Sequence, residues 1–79
     1  MSIYTQVQSV IAMTLKVAPD KVTATTTNED LVAWDSLGHV NLMIALEQEF
    51  DVFLDVEDFP KLNSVPAIVQ YLQDNGAAP

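Results

Sequence analysis

The stretch Asp35-Ser36-Leu37-Gly38-His39-Val40-Asn41-Leu42-Met43-Ile44-Ala45-Leu46-Glu47-Gln48-Glu49-Phe50 decides how the chain folds. At about 100° per residue, Leu42, Met43, Leu46 and Phe50 fall on one side of a helix running from Ser36 to Phe50. Leu37, Val40 and Ile44 fall on a different arc, more than a quarter turn away. A surface helix packed along one side needs only the first group. The second stripe must meet another helix of the same domain or stay exposed for a partner. An acidic opening at Asp35 suits the positive end of the helix dipole.

Upstream, Ile3, Val7, Val10, Ile11 and Leu15 repeat with helical spacing, and Gln6, Gln8, Ser9 and Lys16 fill the opposite side. Pro19 cannot sit inside a helix without losing an amide bond, which places the stop near Val17 or Ala18. Residues 20 to 35 hold Thr23, Thr25, Thr26 and Thr27, followed by Asn28, Glu29 and Asp30. Branched and short polar side chains compete there with the helical backbone, so a long loop is expected, pinned to the core by Val22, Leu31 and Val32. Downstream, Val52, Leu54, Val56 and Phe59 stand among acids before Pro60. A lone strand would have no partner, so the spacing predicts a loop with a short helix near Glu57 to Leu62. Phe50, Phe53, Phe59 and Tyr71 are expected to close the core. Asn63 or Ser64 then caps a last helix beginning near Val65. Val65, Ile68, Val69 and Leu72 form its buried face, and Gly76 and Pro79 mark its end. The expected architecture is all-α: three main helices with a short one before the last, in one domain over residues 1–79.

Composition narrows function. Eleven acidic residues stand against three basic ones, all lysines, for a formal charge of -8. Phosphate backbones are repelled by such a field, which argues against nucleic-acid binding. There is no cysteine, so disulfides, thiolate metal sites and a thiol nucleophile of the protein's own are excluded, and His39 is the only histidine. No apolar run approaches the roughly 20 residues needed to span a bilayer. A soluble, cytoplasmic monomer without membrane insertion is the expectation. No phosphate-binding glycine loop, metalloprotease helix or nucleophile elbow is present, and His39 lies one helical turn from Ser36 without a triad around it. Taken alone, Asp35 and Ser36 are ordinary capping residues.

The order and spacing of these parts resembles the acyl carrier protein family, whose phosphopantetheine attachment region the segment from Asp35 to Phe50 matches. The likeness also takes in the opening helix with Val7, Ile11 and Leu15, the Val22-Thr23 element, the long loop, and the closing helix with Ile68 and Leu72. It implies that Ser36 is the covalent attachment point of 4'-phosphopantetheine donated by coenzyme A, with Asp35 as the flanking motif residue. It also implies a non-catalytic carrier that holds acyl groups as thioesters. Implied partners are a phosphopantetheinyl transferase, an acyl or aminoacyl ligase or acyltransferase, and a downstream synthase or transferase. Leu37 and Ile44, with Val40 nearer the core, would flank the site and meet partners, as would Asn41, with Glu47 and Glu49 adding charge. Trp34 is a docking residue or a lid.

Carriers of fatty acid biosynthesis usually have acids two and five positions after the serine, where this chain has Gly38 and Asn41, and Gln48 replaces another common acid. Trp34 to His39 and Phe59-Pro60 look more like a free-standing carrier of a specialised, secondary-metabolic system. An aminoacyl carrier is the alternative of the same kind. A helical interaction module without the arm, in which Ser36 merely caps the helix, is the rival of a different kind.

Overall fold

A computed structural model describes residues 3–75. Three α-helices, α1 (Ile3–Leu15), α2 (Ser36–Phe50) and α3 (Val65–Asp74), are joined by segments that contain two short 3₁₀ helices, Pro19–Lys21 and Val56–Lys61. Among the described residues there is no strand, only an isolated antiparallel bridge between Thr27 and Ser64. The fold is an all-α bundle, with α1 packed closely against both α2 and α3.

α1 buries Ile3, Val7, Val10, Ile11 and Leu15, the stripe that the apolar spacing marks out. It ends at Leu15, earlier than Pro19 alone requires. Lys16 enters the left-handed region at φ 58°, and the Val17 amide turns back to donate to the Ala12 carbonyl at 3.0 Å. This closing turn satisfies a terminal carbonyl of the helix, so the proline only confirms a stop already made. The following 3₁₀ turn is tied back to α1 by Gln8, whose Nε2 donates to the carbonyls of Pro19 and Val22 at 2.9 Å each.

The Thr-rich segment is a loop folded on its own hydroxyls. The Thr23 amide donates to Oγ1 of the buried Thr26 at 2.7 Å, and the Thr27 amide donates to the Asp30 carboxylate at 2.9 Å. Val22 is buried and Leu31 half-buried, but Val32 is 98% exposed and does not pin the loop. A turn in which the Trp34 amide donates to the Leu31 carbonyl at 3.0 Å carries Val32 outward, while the Trp34 ring takes the interior place at 3% exposure. The larger apolar surface wins the burial. Bonds from the Asn28 amide to the Asn63 carbonyl (2.9 Å) and from the Val65 amide to the Thr26 carbonyl (2.8 Å) flank the bridge and join this loop to the start of α3.

On α2, Leu42, Met43 and Leu46 are fully buried and Phe50 half-buried. Asp51 adopts φ 53°, and the Val52 amide donates to the Glu47 carbonyl at 3.2 Å, repeating the kind of stop seen after α1. In the extended chain that follows, side chains alternate in direction, and Leu54 is buried with Val52 half-buried against the core. Phe53 is therefore 80% exposed and takes no part in closing the core, contrary to expectation. The short helix stands where the spacing predicts it, but in 3₁₀ form, with the Asp55 carboxylate accepting from the Glu57 amide at 3.0 Å. Tyr71 of α3 donates its hydroxyl to Asp58 at 3.1 Å. Burial, and then the Asp58 carboxylate, raise that phenol above its ordinary value.

Ser64 caps α3, its Oγ accepting from the Ala67 amide at 3.2 Å, and Pro66 sits in the first turn, where its missing amide costs nothing. Val65, Ile68 and Leu72 are buried, with Val69 half-buried beside them. The expected terminators Gly76 and Pro79 lie outside the described residues. No helix among the described residues is long and apolar enough to cross a membrane.

Candidate functional site at the start of the second helix

Ser36 is the first residue of α2 and is exposed. The cap belongs to its neighbour: Asp35 is extended (φ -91°, ψ -169°), and its Oδ1 accepts from the Gly38 amide at 2.8 Å. The Asp35 carbonyl starts the helical ladder by accepting from the His39 amide at 2.8 Å. Since Asp35 does the capping, the reading in which Ser36 caps the helix does not describe this chain. The amide taken by Asp35 is that of Gly38, and the amides of Ser36 and Leu37 stand ahead of the ladder, where a helix has no internal partner to offer them. No acidic residue lies within the first turn itself.

Gly38 has a reason of its own. A Cβ at this position would stand 2.3 Å from the Ala33 carbonyl oxygen and 3.1 Å from Leu15 Cδ2. Backbone passes too close for any side chain. In this chain, then, the backbone at Ala33 leaves no room for an acid at position 38 unless it shifts. A glycine costs about 1 kcal/mol relative to alanine inside a helix, and that cost was the available sequence signal of a close approach.

Trp34, His39 and Phe59 form a chain of contacts beside Ser36. The indole Nε1–H donates to His39 Nδ1 at 2.9 Å, and His39 Nε2 lies 2.7 Å from the Phe59 carbonyl oxygen. An indole nitrogen can only donate, so Nδ1 is an acceptor and Nε2 carries the proton given to Phe59. Both ring nitrogens are engaged, which leaves His39 no lone pair with which to activate the Ser36 hydroxyl. The rings stack as well, with Trp34 and His39 centroids 6.2 Å apart and Phe59 edge-on to His39 at 6.4 Å. Trp34, expected as a docking residue or a lid, is 3% exposed and packs into the core cluster while also lining the cleft beside Ser36.

An open cleft of about 370 Å³ adjoins the hydroxyl, lined by Asn28, Trp34, Asp35, Ser36, His39, Pro60 and Asn63. Along the outer side of α2, Leu37 is 72% exposed, Val40 45% and Ile44 47%, with Asn41 exposed among them. The second apolar stripe thus faces solvent, Val40 included. Glu47, expected to add surface charge there, is half-buried, and its Oε2 accepts from the Leu54 amide at 2.8 Å. Its negative charge serves the turn after α2. Val32 and Phe53 add exposed apolar surface that sequence periodicity missed, because both lie in irregular segments.

The phosphopantetheine attachment site model matches residues 5–72, from the first turn of α1 to the last of α3. An acyl carrier protein of Bdellovibrio bacteriovorus is 40% identical over 78 residues, covering 99% of this chain and 100% of the relative. The three-helix bundle, the capped second helix with its exposed serine, and a match running through all of these elements converge: the chain belongs to the acyl carrier protein family.

Proposed function

We propose that Ser36 receives a 4'-phosphopantetheine from coenzyme A and that the chain carries acyl groups between partner enzymes of a specialised biosynthetic pathway. The observation that carries this reading is the division of labour at the start of α2: Asp35 caps the helix and the adjoining Ser36 hydroxyl is left exposed. The residues present fit the group. A phosphate ester on Ser36 lies at a helix N-terminus, where the amides of the first turn and the dipole favour negative charge. Asn28 and Asn63 give the adjoining cleft polar walls for an arm built of amides. When bound, the arm supplies the thiol that a chain without cysteine lacks. Ser36 provides its oxygen, Asp35 holds the helix start in place, and Leu37, Val40 and Ile44, with the polar Asn41 among them, present an apolar stripe to the partner. Net negative charge speeds encounter with basic partner surfaces.

Incubation with coenzyme A and a broad-specificity phosphopantetheinyl transferase tests the reading. The intact mass rises by one arm, peptide mapping places it on Ser36, and Ser36→Ala abolishes it. Modification elsewhere, or none with several competent transferases, would sink the proposal. For the pathway, charge is restored at Asn41→Glu and Gln48→Glu, because Gly38 admits no side chain. The wild-type carrier is expected to be a poor substrate for the malonyl-loading enzyme of fatty acid synthesis and a good one for a dedicated acyl or aminoacyl ligase. The double variant is expected to gain selectively with the former, most clearly at low salt. Efficient malonylation of wild type would overturn the specialised assignment.

A further inference from the structure

Resting on the proposal that Ser36 bears an acyl-loaded arm, we propose that the Trp34–His39–Phe59 hydrogen-bond chain is a latch that shuts the bundle interior to a cargo chain tethered beside it. The latch makes His39 a specificity-determining position: saturated alkyl cargo stays outside, reachable by partners, instead of entering the core behind Trp34.

The problem that the latch solves follows from the geometry. An alkyl chain attached through Ser36 hangs over the cleft, and each methylene gains by leaving water. The interior that would receive it is close at hand. Trp34 lines the cleft on one side and belongs to the core cluster on the other, with Phe59 packed against the same cluster. The wall between cleft and core is thus made of Trp34, His39 and the Phe59-Pro60 segment. α1 packs closely on both α2 and α3, and Phe59 of the Val56–Lys61 segment packs against the core cluster to which Leu42 and Leu46 of α2 and Ile68 and Leu72 of α3 belong. That segment is held to its neighbours by side-chain bonds: His39 Nε2 to the Phe59 carbonyl, and Tyr71 to Asp58. Glu47, bonded to the Leu54 amide, steadies the chain leading into it. Of these ties, only the one through His39 lies at the cleft and one helical turn from Ser36.

The chemistry of the tie is specific. It needs a group that accepts from an indole N–H and donates to a carbonyl in one rigid unit, and neutral imidazole does both. A glutamine side chain presents an acceptor and a donor at similar separation. Leucine fills comparable volume and offers neither.

The test loads wild type, His39→Gln, His39→Leu and Trp34→Phe with acetyl or octanoyl arms, checks loading by intact mass, and measures thioester cleavage by hydroxylamine. Trp34→Phe keeps an aromatic ring and removes the N–H. A chain drawn inside pulls its thioester toward the protein surface and shields it, so the octanoyl-to-acetyl ratio of rates reports entry. Wild type and His39→Gln are expected to cleave both thioesters at rates within about twofold, while His39→Leu and Trp34→Phe protect octanoyl by about fivefold or more. Circular dichroism confirms that each variant is helical, and a folding defect confined to His39→Leu leaves Trp34→Phe to decide. Strong octanoyl protection in wild type, or none in the folded unlatched variants, would overturn the latch while leaving the carrier reading intact. An arm missing from the intact mass would overturn both.

Discussion

The two faces of α2 carry the same kinds of side chain and lead different lives. Leu42, Met43 and Leu46 are fully buried, while Leu37, Val40 and Ile44 keep between 45% and 72% of their surface in solvent. Hydrophobicity alone does not separate them; angular position does, because α1 covers only one side of the helix. The inner face holds the bundle together. The outer face leaves apolar surface next to an exposed serine, and such surface costs solubility unless something docks on it. On the proposed function, stability and partner docking are assigned to different arcs of one helix.

The largest effect that could break this comparison is expected at the inner face. Leu46→Ala removes a fully buried side chain and should lower unfolding free energy by about 2 to 5 kcal/mol, read from denaturant midpoints at unchanged slope. Gly38→Ala comes next, at about 1 to 3 kcal/mol, since the added methyl meets the Ala33 carbonyl and the backbone has to shift. A neutral alanine here would show that Ala33 yields easily, and it would reopen the missing acid as a matter of charge. Asp35→Ala should cost about 0.5 to 2 kcal/mol through loss of the cap. Ser36→Ala should stay within about 0.5 kcal/mol and still lose all modification. If the two losses were reversed, the cap would have been assigned to the wrong residue. Ile44→Ala is expected to cost under about 1 kcal/mol, well short of Leu46→Ala, with its main effect a raised KM for the transferase. A loss matching that of Leu46→Ala, with unaltered kinetics, would place Ile44 in the core and erase the difference between the faces.

Regular segments announced themselves in the sequence. The helical period located α1, α2 and α3, and Ser64 with Pro66 marked the start of α3, because these signals depend on neighbours three or four residues away. What stayed hidden depends on groups far along the chain. Which of Val32 and Trp34 turns inward is decided by a turn closing on Leu31, and which of Phe53 and Leu54 by a carboxylate on Glu47. The site divides in the same way. The helix start at Ser36 was legible from the residues around it, whereas the reason for Gly38 lay in the passing backbone of Ala33. The engagement of His39 required Phe59, twenty residues on, to be brought beside it.

The bridge between Thr27 and Ser64 has a mechanical consequence. It fastens together the two strips of chain that lead into and out of the α2 region, so the helix bearing Ser36 lies within a closed loop of polypeptide. A partner that tugs on anything attached to Ser36 pulls against that closure, with the load shared by the Asn28 and Val65 amide bonds on either side of it. Tension applied at Ser36 is then expected to return to the start of α3 rather than pass on to the chain beyond the bridge.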